Sequence, residues 1–504
     1  MRSKRALINT IYGLVYEAVA LVCGMILPRL ILGAFGSDYN GITNSISQFL
    51  SAVSLLRAGI GGVTKAALYK PLAEGDTVQV SRVIKATESF LHKVALIFLG
   101  ALVVFACVYP VFVNKEFDWF FTFSLVLILG LSTFAQYQFG LTYHLLLLAA
   151  QRNGVVSLIQ IFTTILNTVV AAILIKAGAG IHAVKLGSAL VYVLNPLAIN
   201  IYARHKFNIV KNVAPDNDAI SQRWDAFAHQ VAFFVNTNTD IMVLTWFASL
   251  KDVSIYSVYY LVINGITIVV KNSIQSVAAA FGDMIAKKED RLLHENFDAF
   301  ETMTASVSTV LFGTTLIMIV PFISLYSKGI TDTNYIQPFF AVLITIAGFF
   351  NCIRIPYQNI VEAAGHFKQT KVGAYFEAGM NVLISVICVF KFGLIGVAIG
   401  TVFATMFRAF QFSIYMCKHI IKRSWFKVVK SIGCSGIIIL LAVFIHNALP
   451  SVEYSSYLDW SLISIRTVVI LTLLVIVNDI LFFKDATMTI INKAKGILSK
   501  RTNN

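Results

Sequence analysis

Residues 94–113 read VALIFLGALVVFACVYPVFV, and residues 119–149 read WFFTFSLVLILGLSTFAQYQFGLTYHLLLLA. Neither stretch contains Lys, Arg, Asp or Glu. Each is long enough to cross about 30 Å of hydrocarbon as an α-helix that rises about 1.5 Å per residue. A short polar break separates the two stretches. Consecutive apolar helices of this length predict a chain that crosses a bilayer repeatedly.

The same pattern extends outward over the whole chain of 504 residues. The composition agrees with it, because 57% of the residues are hydrophobic and only 13% are charged, against roughly 25% charged in soluble domains. We therefore predict an all-α polytopic membrane protein. About fourteen transmembrane helices are expected, at residues 7–32, 40–68, 94–113, 119–149, 155–175, 186–203, 226–250, 254–282, 301–327, 335–361, 372–390, 394–417, 431–449 and 460–483.

The basic residues predict the orientation of these spans. Of the 40 Lys and Arg residues, 27 fall in the tails and loops on the side of the N-terminus. Because such residues gather in cytoplasmic loops, both termini are expected in the cytoplasm. No basic soluble face is present, so a nucleic-acid partner is not expected. The opposite, outer side carries six lysines: Lys115, Lys176, Lys185, Lys251, Lys328 and Lys391.

An internal repeat divides the chain. At a spacing of 213 residues, Gly180 matches Gly393 and Gly187 matches Gly400, while Asn167 matches Asn381 at a spacing of 214. Six spans fit in one period, so the two halves share an orientation, as in transporters built from parallel repeats. We predict a six-helix lobe at 1–210, a second at 211–423, and two additional helices with a basic tail at 424–504.

Two glycine-rich stretches carry a resemblance. Residues 35–42 read FGSDYNGI and residues 57–62 read RAGIGG, followed by LYK at 68–70 and LAEGD at 72–76. With the length, the spans and the repeat, this pattern resembles the polysaccharide flippases of the O-antigen and capsule type, within the multidrug/oligosaccharidyl-lipid/polysaccharide exporter superfamily. The resemblance implies a flippase in the bacterial cytoplasmic (inner) membrane. Its substrate would be a polyprenyl-diphosphate-linked oligosaccharide, moved from the inner to the outer leaflet for cell-surface polysaccharide biosynthesis.

Charges inside the spans are the candidate substrate ligands, because a charge at mid-bilayer is costly unless it faces a cavity or a partner. Arg57 and Lys271 lie at nearly equivalent positions of the repeat. We expect both to bind the diphosphate headgroup, with Arg354 and Arg408 as further cations nearer the cytoplasm. Structural ion pairs, or snorkelling of the two arginines toward the cytoplasm, are the alternatives.

Three acidic residues and a polar run complete the candidate site. Glu17 and Asp240 could bind H⁺ or Na⁺, or could neutralise the nearby cations, and Glu377 is expected to pair with an arginine. Residues 236–240 read NTNTD within a span. Asn236 and Asn238 are therefore expected to contact the sugars, although such side chains also join neighbouring helices.

Other classes of function fit less well. No Walker-type phosphate loop and no HExxH, CxxC or GxSxG pattern occurs, so we expect neither an enzyme nor a cofactor or metal. An H⁺ or Na⁺ gradient or the membrane potential could supply the energy. A multidrug or cation antiporter of the same superfamily is the alternative, but it would need a cavity dominated by carboxylates. The short outer loops argue against a glycan polymerase or ligase; a polymerase and glycosyltransferases are instead expected as pathway partners.

Overall fold

The computed structural model describes residues 2–53, 58–113, 116–210, 212–221, 238–274, 278–287, 289–450 and 454–502. Every regular element within these ranges is helical. Twelve of these helices are long and apolar enough to cross a membrane. The two further predicted spans, 40–68 and 226–250, fall partly on residues outside the described ranges. The predicted all-helical, multi-pass fold class is confirmed.

The chain divides into two compact units, Met1–Ser254 and Ile255–Asn504. In the first unit α1 packs against α7, α7 against α8, and α5 against both α4 and α8. Residues 238–247 are also helical, and a further helix, α9 (Leu250–Ile274), begins at the end of this unit. The other helices of the unit are α1 (Arg2–Phe35), α2 (Ser37–Val53), α3 (Ala58–Glu74), α4 (Thr77–Val113), α5 (Trp119–Ala135), α6 (Leu141–Ala149), α7 (Asn153–Lys176) and α8 (Ile181–Lys206).

The second unit is organised around one long helix, α11. That helix packs against α12, α16, α17 and α18, and α15 packs against α12 and α14. The helices of this unit after α9 are α10 (Ala278–Ala286), α11 (Asp290–Tyr326), α12 (Pro338–Ile353), α13 (Ile355–Ala363), α14 (Phe367–Phe392), α15 (Leu394–His419), α16 (Phe426–Ala448), α17 (Tyr457–Phe482) and α18 (Lys484–Thr502).

The repeat in the sequence is also a repeat of helix boundaries. Helices α4 and α11 both have 37 residues, and their first residues, Thr77 and Asp290, are 213 positions apart. Helices α8 and α15 both have 26 residues, and their starts at Ile181 and Leu394 have the same separation. Helices α4 and α8 of the first unit therefore have counterparts of equal length, in the same order, in the second unit.

Several helices extend beyond the apolar stretches that predicted them. Helix α4 begins at Thr77 rather than near residue 94, and α8 begins at Ile181 rather than at residue 186. Hydropathy marks only the part of a helix that lies in hydrocarbon, whereas backbone hydrogen bonding continues into the polar region. Apolar side chains that remain exposed on α16 and α17, such as Phe444 and Leu458, are those expected to face lipid.

Candidate functional site

A break in one transmembrane segment positions the first candidate residue. Helix α12 ends at Ile353 and α13 begins at Ile355, so Arg354 stands between them. Pro356 follows at the first turn of α13 and has no backbone N–H to donate to the preceding turn, which explains the interruption. The Arg354 side chain is only 15% exposed.

A tight hairpin positions the next two residues. Gly393 joins α14 to α15 with φ of 52°, a left-handed conformation that favours glycine. Beyond it, a Cβ at Gly396 would lie 2.4 Å from the carbonyl carbon of Cys388, so glycine also allows the two backbones to pack closely. This close antiparallel packing brings Glu377 of α14 beside Arg408 of α15.

Arg354, Glu377 and Arg408 form a charged triad. Arg354 donates from Nη1 to Glu377 Oε1 at 2.6 Å, and Arg408 Nε lies 3.3 Å from Glu377 Oε2. Arg408 also donates to the backbone carbonyl of Thr370 at 3.1 Å and stacks over the Phe412 ring at 4.0 Å. The geometry places one buried carboxylate between two guanidinium groups, so the triad has an excess of one positive charge.

Lys271 adds a further cation to the second unit. It lies near the C-terminal end of α9 and is exposed. It is close enough to Arg354 for the two charges to repel each other. Among the described residues, no carboxylate lies within ion-pair distance of its ammonium group. Three cations and one buried carboxylate therefore occupy this part of the protein, and the imbalance favours an anion.

The described residues of the first unit that correspond to Arg408 and Glu377 are uncharged. At the spacing of 213 residues Asn195 corresponds to Arg408, and at the spacing of 214, which separates the starts of α7 and α14, Thr163 corresponds to Glu377. Asn195 Nδ2 donates to Thr163 Oγ1 at 3.2 Å, so a neutral hydrogen bond takes the place of the ion pair. The two equivalent sites have thus diverged, and the charged one belongs to the second unit.

The remaining predicted residues lie in the first unit. Glu17 is partly buried in α1, and Asp240 is buried in the helix at 238–247. Gln48 of α2 donates a hydrogen bond to the side-chain oxygen of Asn238, so this amide joins two helices. Arg57 and Asn236 lie outside the described residues, and the structure neither places nor pairs them.

Sequence analysis did not single out Arg423, which lies between α15 and α16. Arg423 donates to Asp298 at 2.6 Å and to Glu301, while Tyr357 donates to Glu301 at 2.6 Å. Burial by itself would lower the pKa of Arg423, but Glu301, Tyr357 and Asp298 together outweigh burial and raise the pKa above its ordinary value. In the sequence, Arg423 looks like any basic residue of a cytoplasmic loop. Its buried ion pairs could not be predicted, because its acidic partners come close to it only in the folded chain.

Lys185 is a second residue that the sequence did not mark as a candidate. The hydropathy pattern placed it in an outer loop, but α8 begins at Ile181 and includes it. Its half-buried side chain lines a cavity inside the first unit. Hydropathy cannot decide whether a lysine just before an apolar run lies in the preceding loop or in the first turns of the helix.

Comparison with known proteins relates this fold to solved transporters. The lipid II flippase MurJ, in an inward closed conformation, superposes with a TM-score of 0.72 at 16% identity, covering 92% of this chain and 98% of that one. An inward-facing multidrug-resistance MATE transporter of the MOP superfamily gives 0.56 at 12% identity, covering 78% and 92%. An outward-facing transporter of the same description gives 0.54 at 14% identity, covering 83% and 96%.

Comparisons of sequence add nothing to this result, since no protein-family model matches the chain and no curated protein matches it significantly. At these identities the likeness concerns the fold. The chain has the fold shared by the MurJ flippase and the MATE transporters of the MOP superfamily.

Proposed function

We propose that this chain is a flippase that moves a polyprenyl-diphosphate-linked oligosaccharide from the inner to the outer leaflet of the cytoplasmic membrane by alternating access. The observation that carries the proposal is the local excess of cations around Glu377 in the second unit. Lys271, Arg354 and Arg408 lie there beside the buried carboxylate of Glu377, and the exposed Glu362 also attracts Arg408. A diphosphate carries the opposite charge in a compact group and suits such a site.

The triad also suggests how the headgroup would be held. Guanidinium groups bind phosphate through paired N–H donors in a fixed plane, whereas a lysine acts as a point charge. In the empty protein, Glu377 holds both arginines in place and offsets part of their charge. A diphosphate arriving beside them would share their donors with Glu377. The exposed Lys271, which pairs with no carboxylate among the described residues, would supply a further positive charge.

The same charges weigh against a transporter of cationic drugs. Such a substrate would be attracted by an excess of carboxylates, and it would be repelled by a site in which three cations outnumber Glu377 and Glu362. The comparison with MATE transporters does not alter this argument, since that likeness concerns the fold. Efflux of cationic drugs is accordingly the outcome that would replace the proposal.

Further features of the proposal follow from the pathway chemistry. A flippase of this kind would lie in the bacterial cytoplasmic membrane with both termini in the cytoplasm, as the loop charges predict. It would receive its substrate from glycosyltransferases and deliver it to a polymerase for cell-surface polysaccharide. Coupling to an H⁺ or Na⁺ gradient would involve Glu17 or Asp240.

The test is the sidedness of polyprenyl-linked oligosaccharides in cells depleted of the protein. We expect these lipids to accumulate in the inner leaflet and to clear when the wild-type chain is restored. Lys271→Ala and Arg57→Ala should each slow clearance, while Lys391→Ala, which changes an exposed cation at the end of α14, should not. Protein abundance in the membrane should be equal in all variants.

Two results would contradict the proposal. If the lipids reach the outer leaflet normally in depleted cells, the chain is not the flippase for that substrate. If the double variant of Arg57 and Lys271 clears them at the wild-type rate, the assignment of the headgroup site is wrong even though the flippase function stands. In the first case, efflux of cationic dyes in the same cells would identify the drug transporter.

A further inference from the structure

The first unit contains a polar, partly open cavity of about 350 Å³, whose lining includes no residue of the charged triad. A π-helical turn at Gln136–Gly140 interrupts the segment formed by α5 and α6 and directs Gln136 and Tyr137 toward the cavity. Such turns occur frequently at functional sites, because they displace side chains from the regular helical stripe. At roughly 30 Å³ per water molecule, the volume could hold about ten waters or a small solute with part of its hydration shell.

The described lining of the cavity contains one fixed charge, which is positive. Among the described residues, Lys185 is the one ionisable lining side chain apart from tyrosines, and no carboxylate lies within ion-pair distance of it. The other polar groups that line the cavity are hydroxyls and amides. They belong to Ser47, Ser51, Ser132, Thr133, Gln136, Tyr137, Asn167, Ser188 and Tyr192. A cation surrounded by hydroxyl donors attracts an anion.

Two buried atoms of the lining lack hydrogen-bond partners among the described residues. Asn167 is 1% exposed; its Nδ2 donates to Tyr192 at 3.3 Å, but its Oδ1 accepts no bond. The hydroxyl of Ser188, 9% exposed, is likewise without a partner. Buried polar atoms are nearly always satisfied, so these two indicate an occupant of the cavity.

The repeat supplies an internal comparison. Asn381 of the second unit corresponds to Asn167, and there Ser385 donates to the Asn381 Oδ1 at 3.1 Å. In the first unit the position that corresponds to Ser385 is Ala171, so this donor is missing. Conversely, the position that corresponds to Lys185 is Ala398. Compared with the second unit, the first unit therefore lacks this internal hydrogen bond and carries a cation at position 185.

We propose that this cavity binds a small inorganic monovalent anion of the chloride class. The Nζ of Lys185 and the hydroxyl of Ser188 hold the anion, and a water molecule of its hydration shell donates to Asn167 Oδ1. A metal cation does not fit, because its charge would be repelled by Lys185 and no carboxylate lines the cavity among the described residues. This proposal stands independently of the flippase function, since it concerns a different unit and a different ligand.

The experiment uses the full chain in nanodiscs of neutral lipid, in sodium gluconate, titrated with sodium chloride. Broadening of the ³⁵Cl NMR line reports chloride binding. The wild type should broaden the line with a saturable dependence. Lys185→Gln should weaken the apparent affinity by about tenfold or more, as expected when a charged hydrogen-bond donor is lost, whereas Lys185→Arg should retain binding. Lys176→Gln, at the exposed end of α7, is the matched control and should behave like the wild type.

A second variant shows whether a loss of binding is caused by misfolding rather than by the loss of the anion site. Asn167→Asp keeps the size of the side chain and places a carboxylate beside Lys185, which should exclude the anion. The apparent melting temperature of the wild type should rise with chloride at constant sodium, and that of Asn167→Asp should not. The proposal is overturned if the wild type does not broaden the line, if Lys185→Gln and Asn167→Asp broaden it as the wild type does, or if chloride at constant sodium leaves the melting temperature of the wild type unchanged.

Discussion

The substitution Glu377→Gln tests the charged triad most directly. It keeps the size of the side chain but removes the carboxylate that lies against both Arg354 and Arg408. The three side chains are 5%, 15% and 10% exposed, so water cannot replace the lost charge effectively. The variant therefore leaves two buried guanidinium groups that repel each other.

The magnitude follows from the separations of 2.6 and 3.3 Å between the charged atoms. Opposite unit charges 4 Å apart attract by about 4 kcal/mol at an effective dielectric constant of about 20. Removing one partner of a buried pair typically costs roughly 3–5 kcal/mol, because the other charge stays buried. We expect Glu377→Gln to lower the free energy of unfolding by a similar amount, which corresponds to a fall of roughly 6 °C or more in melting temperature for a unit of this size.

The assay is thermal unfolding of the full chain in detergent, followed by intrinsic fluorescence. The control is Glu295→Gln, because Glu295 pairs with Arg291 at 2.9 Å on the surface, where loss should cost about 1 kcal/mol or less. In a double-mutant cycle, Glu377→Gln combined with Arg408→Met should cost less than the two single losses added together, by roughly 1–3 kcal/mol. Equal melting temperatures for Glu377→Gln and Glu295→Gln, or strict additivity in the cycle, would refute the reasoning.

Two further predictions concern packing and the Arg423 cluster. Gly41→Ala should abolish accumulation of folded protein, because a Cβ at this position would lie 1.9 Å from the backbone oxygen of Leu250. Gly100→Ala is the control and should be tolerated, because its Cβ would meet none of the described atoms within 4 Å. Fluorescence-detected size-exclusion chromatography measures the amount of folded protein in both cases. Arg423→Gln should lower the melting temperature by several degrees, because Glu301 would keep its buried charge without a cation, and an unchanged value would show that the cluster does not contribute to stability.

Much of the fold could be predicted because hydropathy and helix length are local properties. The stretch at residues 94–113 could form little other than a membrane helix, and the repeat register agrees with the helix starts at Ile181 and Leu394. The limits of the helices were predicted less well, since polar turns carry no apolar signal. The break at Arg354 and the π-helical turn at Gln136–Gly140 could not be located, because both lie within continuous apolar runs.

The candidate site also has a part that could be predicted from the sequence and a part that could not. An intramembrane charge is visible in the sequence because it is rare there, and so Arg354, Glu377 and Arg408 could be selected as candidates before their contacts were known. The sequence predicted that Glu377 pairs with an arginine, and it does so with Arg354 and Arg408. The sequence could not show that both arginines share this one carboxylate, since the three residues come from three segments and meet only when the hairpin at Gly393 closes. Lys185 was missed for the opposite reason: it stands at the edge of an apolar run, where a cation is ordinary.

The sequence by itself determined that this chain crosses a membrane many times as helices, with a cytoplasmic bias of basic loops and a repeated architecture. These properties depend on the composition of each segment and on the spacing of residues along the chain, and both can be read without knowing any tertiary contact. Only the tertiary structure decided which charges are neutralised and which remain in excess. Electrostatic pairing depends on distances of a few ångströms between side chains that, like Arg423 and Glu301, are far apart in the chain.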